Sequence, residues 1–190
     1  QALAESRNVP TVKIAARVGI ENVLVMARRF GLEGPMEPYL PLALGAAEAS
    51  PLQMASAFPV FPNIGFRAKT MFVRKIEDYN RAVLEEYVPK REEVLNAEVA
   101  SRMLDMLRGV VESGTAQAAK SLRRPLGGKT GTTNDFTDAW FVGFTPSLTT
   151  AVWIGFDSKK SLGNREAGAA AALPIWIDYM NEILAGKPVE

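Results

Sequence analysis

The residues with the most chemistry to offer lie in one stretch. Gly127-Gly128-Lys129-Thr130-Gly131-Thr132-Thr133 places a cation, hydroxyls and glycines just before Asn134-Asp135-Phe136-Thr137-Asp138 and the apolar run Ala139-Trp140-Phe141-Val142-Gly143-Phe144. Both flanks read as strands. A glycine within a strand lets a ligand or a second backbone come close. Lysine adds a fixed positive charge, and the threonines add hydroxyl donors. A strand of this kind can hold the carboxylate end of an extended, peptide-like molecule along its edge. A second pair, Ser6 and Asn8, sets a hydroxyl and an amide two residues apart near the start of the chain. Alone, that pair reads most simply as helix-capping residues.

Gly128-Lys129-Thr130 admits three readings. A phosphate-binding loop needs a glycine five positions before Gly128. Arg123 stands there, followed by Arg124, Pro125 and Leu126 where a glycine-rich turn is required. A second reading is a lysine that protects an edge strand from further pairing. The third is the Lys-Thr-Gly element of serine acyl-transferases that react with penicillin.

Composition limits the chemistry further. The 190 residues include neither histidine nor cysteine. That excludes a Ser-His-Asp triad, a cysteine nucleophile and the common zinc ligand sets, and no cofactor is expected. A general base must then be Lys, Tyr, Asp, Glu or a water they hold. A lysine crowded by other cations and partly desolvated can lose its proton near neutral pH and take the place of the histidine. The formal net charge of +1 gives no general attraction to nucleic acid or to an anionic membrane. With 47% hydrophobic and 23% charged residues, the chain has the balance of a globular domain with a real core.

The elements that must position these groups can be read in order. Asn8 is expected to cap a first helix with Pro10 in its opening turn, and a second helix runs from Ile20 to Phe30 and stops at Gly31. Residues 33–50, with Pro35, Pro38 and Pro41, read as a loop. Ser50 and Pro51 open a further helix. Phe66 to Val88 reads as a two-stranded ribbon with charged outer faces and a turn at Asp78-Tyr79-Asn80-Arg81. Asn96 to Glu112 is the clearest helix, with Val99, Met103, Met106, Leu107, Val110 and Val111 on one apolar face and Ser113-Gly114 as its stop. Strands follow at 127–133, 138–144 and 149–157, the last two expected to be covered on both faces, with Trp140 and Trp153 in the core. Gly163 to Gly168 reads as a polar loop, and Ala169 to Leu184 as a final helix across the sheet. The class is α/β in the broad sense, more narrowly α+β: one domain over residues 1–190, built on an antiparallel sheet flanked by helices.

Longer stretches decide between the readings. Lys129-Thr130-Gly131-Thr132-Thr133, a polar turn, and Asp138-Ala139-Trp140-Phe141-Val142-Gly143-Phe144-Thr145-Pro146 resemble the last motif of penicillin-binding transpeptidases. Ser6-Arg7-Asn8-Val9-Pro10-Thr11-Val12 resembles their Ser-x-Asn motif, in the family order. Ala43-Leu44-Gly45, Ser50-Pro51-Leu52-Gln53-Met54-Ala55-Ser56-Ala57-Phe58 and Phe61-Pro62-Asn63 resemble a stretch of the class A members, although Asn63-Ile64-Gly65 stands where Asn-Gly-Gly is usual. The residues after Gly114 resemble the short helix that precedes Lys-Thr-Gly in the family. The resemblance runs from Ser6 to about Leu184.

It implies a peptidoglycan D,D-transpeptidase that works through an acyl-serine, with the D-Ala-D-Ala stem peptide as substrate and β-lactams as mimics. By position, Ser6 would relay a proton to the leaving group, and Lys129 would keep the site positive and orient Ser6. Asn8 would bind the substrate amide. Thr130 and Thr132, around Gly131, would bind the terminal carboxylate, and the Thr132 N–H would form half of an oxyanion hole. A bifunctional glycosyltransferase–transpeptidase parent is implied, on the extracytoplasmic face of a bacterial envelope, with its membrane helix outside this chain. A serine β-lactamase, a penicillin-sensing receptor domain and a non-catalytic fragment remain as alternatives.

One departure bears on all of these. The family nucleophile lies in Ser-x-x-Lys, and no serine here has a lysine three positions later. The chain opens at Gln1 rather than methionine, and it is read as part of a longer polypeptide whose upstream segment completes the site. The 190 residues alone are therefore expected not to acylate. Incubation with a labelled penicillin checks this: no covalent adduct should form on the isolated chain, and a stoichiometric adduct would refute the expectation.

Overall fold

The computed structural model describes residues 1–163 and 166–189. The element order is α1 (Asn8–Val18), α2 (Ile20–Arg29), α3 (Pro51–Ala57), β1 (Phe66–Ala68), β2 (Lys75–Glu77), β3 (Val83–Glu86), β4 (Arg91–Glu93), α4 (Ala97–Glu112), β5 (Gly127–Thr132), β6 (Asp138–Phe144), β7 (Thr149–Gly155) and α5 (Ala172–Ile183). Every strand pairing among the described residues is antiparallel. The arrangement is the α+β one that the sequence indicated.

Helix starts follow the local chemistry. Ser50 Oγ accepts from Gln53 N at 3.2 Å while Gln53 Oε1 accepts from Ser50 N at 2.8 Å, so each side chain satisfies a backbone donor of the other residue. Pro51 takes the first helical position, where its missing N–H costs nothing. Asn96 caps α4, its Oδ1 accepting from Val99 N at 2.9 Å. The buried face of α4 is Ala100, Leu107, Val110 and Val111. Val99 and Met106, expected on that face, are exposed, because α4 is covered along a narrower stripe than its apolar residues span. Proline-rich residues 33–50 are not wholly irregular, since Leu40–Leu44 winds into a 3-10 turn. The short helix expected after Gly114 is also 3-10, over Gln117–Leu122.

The expected ribbon divides in two. β2 and β3 pair around the Asp78 turn, where Asp78 Oδ1 accepts from Asn80 N at 2.8 Å and Ala82 N at 2.9 Å. β1 and β4 form a separate pair at its base, which the charged sequence did not reveal.

The main sheet runs β5-β6-β7, with Lys129 opposite Val142, Gly131 opposite Trp140 and Trp140 opposite Trp153. β6 is the buried middle strand, whereas β7 lies at the margin. Trp153 is accordingly half-exposed rather than core, and its Nε1 donates to Asp138 Oδ1 at 2.9 Å. The Gly163–Gly168 loop includes two positions, 164 and 165, outside the described residues.

One apolar cluster joins the end of α4, the 3-10 turn, β6 and α5 through Val110, Val111, Ala119, Phe141, Leu173 and Trp176. Phe141 and Trp176 meet edge to face with ring centres 5.0 Å apart, and the Trp176 indole N–H donates to Thr150 O at 3.1 Å. Phe141→Ala would leave a cavity under α5. The expected loss is about 3–5 kcal/mol of unfolding free energy, measured as a lowered urea midpoint.

Candidate active site

The first seven residues form a series of turns. Glu5 N donates to Gln1 O at 3.0 Å, Ser6 N to Leu3 O at 3.1 Å and Arg7 N to Ala2 O at 2.9 Å. Ser6 sits at φ 54, in the left-handed region, where a residue with a Cβ is strained by roughly 1–2 kcal/mol. The turn presents the Ser6 hydroxyl, and Lys129 Nζ donates to it at 2.7 Å. These residues are 123 positions apart. Asn8 is not the cap of α1. Arg7 occupies that position in extended conformation without a side-chain cap, and Asn8 is the first helical residue, with an exposed side chain. Its amide is thus not committed to the helix end.

Lys129 projects from β5, half-buried, and also donates to Thr130 O at 2.8 Å. Burial pushes its ammonium down from the usual 10.5 to about 8. The cause is lost hydration, which penalises the charged form. The expected crowding by other cations is not what lowers it. The protonated form still predominates at pH 7 but is held less firmly than on an exposed lysine.

Alternation along β5 puts Thr130 and Thr132 on one side of the strand and Gly131 on the other. Gly131 lies against Trp140, where an added Cβ would sit 3.1 Å from the Trp140 Cβ. Trp140 itself is half-buried and pairs with Trp153 at 6.3 Å between ring centres. Each hydroxyl on β5 has a partner from elsewhere in the chain. Thr130 Oγ1 lies 2.8 Å from Thr115 Oγ1, and Thr132 Oγ1 accepts from Gly168 N at 3.0 Å. Gly168 is buried so tightly that a Cβ there would run into Trp140 O and Gly131 O. After the strand, Thr133 Oγ1 accepts from Thr137 N and Asp138 N, both at 2.9 Å, which closes the turn into β6.

The structure therefore brings Ser6, Lys129 and Thr130 together, with Gly131 and Thr132 further along β5 and Asn8 two residues beyond Ser6 at the start of α1. Sequence reasoning missed Thr115 and Gly168. Thr115 follows the Ser113-Gly114 helix stop and reads as the start of a short helix, and Gly168 ends what reads as a polar loop.

Residues 1–180 match the family described as the penicillin-binding protein transpeptidase domain. The chain belongs to that family. It is 50% identical over 189 residues to penicillin-binding protein 1A of Aquifex aeolicus, covering all of this chain and 26% of that protein. It is similar in structure to penicillin-binding protein 1A of Haemophilus influenzae, with a TM-score of 0.93 and 30% identity, covering 100% of this chain and 34% of that one. The imipenem acyl-enzyme complex of penicillin-binding protein A from M. tuberculosis shares the fold at a TM-score of 0.75 and 19% identity, over 96% of this chain and 47% of that one. The chain thus spans about a quarter of the length of the curated relatives it matches.

The lowered affinity of Lys129 for its proton has a measurable consequence. Side-chain NMR of Lys129 should titrate with a midpoint near 8 rather than 10.5. The folded state holds this proton less well than the unfolded chain. The resulting penalty is present below about 8 and fades as pH rises toward 10.5, so stability rises across that window. Comparing unfolding of the protein with its Lys129→Met variant from pH 7 to 10.5 checks the sign: the variant should lack this gain.

Proposed function

We propose that these residues are the C-terminal part of a D,D-transpeptidase domain and supply one wall of its active site. The observation that carries the reading is the 2.7 Å hydrogen bond from Lys129 Nζ to Ser6 Oγ, which joins the two motifs across most of the chain. The nucleophilic serine belongs to a part of the polypeptide outside these residues.

In this reading, that serine attacks the carbonyl between two D-alanines of a stem peptide. Ser6, oriented by Lys129, passes a proton to the departing D-alanine amine. The Thr132 N–H helps bind the oxyanion, a contribution of roughly 3 kcal/mol for one such donor. Lys129, Thr130 and Thr132 hold the terminal carboxylate, and Asn8 binds the peptide amide. An amine from a neighbouring strand then attacks the acyl-enzyme and completes the cross-link. β-Lactams carry a carboxylate and a strained amide in similar relation and would react with the same serine. The likeness to penicillin-binding protein 1A supports a bifunctional parent with a glycosyltransferase domain, acting on the extracytoplasmic face of the envelope. Among the described residues no helix is long and apolar enough to cross a membrane.

Lys129→Ala in the full-length polypeptide tests the reading. Acylation by a labelled penicillin should slow by about a hundredfold or more, the scale of losing one preorganised electrostatic contact to the transition state. An unchanged rate would overturn it. Slow deacylation of the wild-type adduct is expected, and rapid hydrolysis would place the protein with the β-lactamases instead.

A further inference from the structure

We infer that Thr115 is a positioning residue that holds the Thr130 oxygen from behind and leaves the Thr130 proton to the anionic tail of a ligand. The inference rests on the proposed carboxylate-binding role of Thr130.

Two contacts place Thr115. Its hydroxyl lies 2.8 Å from Thr130 Oγ1, and its backbone N–H donates to Ala4 O at 3.1 Å. It therefore spans the gap between the turn that carries Ser6 and the strand that carries Lys129. The preceding residue fixes the spacing. A Cβ on Gly114 would run into Ala4 O and sit 2.9 Å from the Val110 Cα, so this corner is packed against its neighbours on two sides.

Either hydroxyl can donate in the Thr115–Thr130 pair, and an anion held by Thr130 selects Thr115 as the donor. Among the described residues, the Thr115 hydroxyl has only Thr130 Oγ1 as a hydrogen-bond partner. Lys129 Nζ also points toward that oxygen, at 3.5 Å. A hydroxyl offers two lone pairs and one proton. With Thr115 and Lys129 both directed at its lone pairs, the Thr130 proton turns outward when an anion binds along β5. A donor chain of this kind polarises along its length, so the outer bond strengthens. Thr132 Oγ1 likewise accepts from one neighbour, the Gly168 N–H at 3.0 Å.

The test uses the full-length polypeptide and a matched pair of probes: a penicillin with its free carboxylate and the methyl ester of the same compound. Thr115→Val keeps the shape and removes the hydroxyl. It should slow acylation by the free acid about fivefold to tenfold, the scale of one hydrogen bond, and leave the slower ester reaction unchanged. Thr115→Ser should retain the wild-type rate, and Thr115→Val added to Thr130→Val should cause no further loss. A Thr115→Val rate equal to wild type, or equal losses on acid and ester, would overturn the inference, because a merely structural role does not distinguish the probes. If Thr130→Val slows acylation of the acid and Thr115→Val does not, the Thr115 inference alone falls. If Thr130→Val has no effect, the carboxylate reading of Thr130 falls and takes the inference with it.

Discussion

The organising constraint is an ammonium brought out of water beside a hydroxyl. Lys129 loses part of its hydration on β5 and offsets this by donating hydrogen bonds to Ser6 Oγ and to the Thr130 carbonyl. Burial of a charge is unfavourable unless such partners are fixed in place. That requirement explains why so much of the chain is devoted to geometry around a few atoms. The N-terminal turn accepts a left-handed serine, α1 starts immediately after it, and α4 packs along β5 to set the distance between them.

The site also depends on an uneven sheet. β6 is buried along most of its length and anchors the core through Phe141 and Trp176. β5 borrows rigidity from it by full pairing on one side, and the glycines at 127, 128 and 131 allow neighbours close to its backbone. Rigid support on one side and an accessible strand on the other is what recognition of an extended peptide requires.

The sequence disclosed much of this, for identifiable reasons. The β5–β6–β7 meander was visible because its apolar runs are short and separated by clear turns. Lys129, Thr130, Thr132 and Ser6 were visible because their spacing and flanking residues match a motif. Thr115 was not, since its closeness to Thr130 arises only once the chain doubles back through residues 117–126. Gly168 was hidden for the same reason, lying 36 positions from its partner. Asn8 was mistaken for a cap because the residue type suits the role, whereas the extended backbone that a cap needs belongs to Arg7. Trp153 looked internal by type, but a marginal strand can leave even tryptophan half in water and satisfy its N–H with Asp138.

The left-handed serine carries a consequence of its own. A backbone held in a sparsely populated conformation relaxes if its surroundings loosen. Here the holding contacts are three backbone hydrogen bonds within residues 1–7 and the reach of a single lysine, and Leu3 of the same turn packs against the apolar cluster. The turn that carries Ser6 is thereby tied to the hydrophobic interior at its base. A change that loosens the interior around Leu3 is therefore felt at the Ser6 hydroxyl as well.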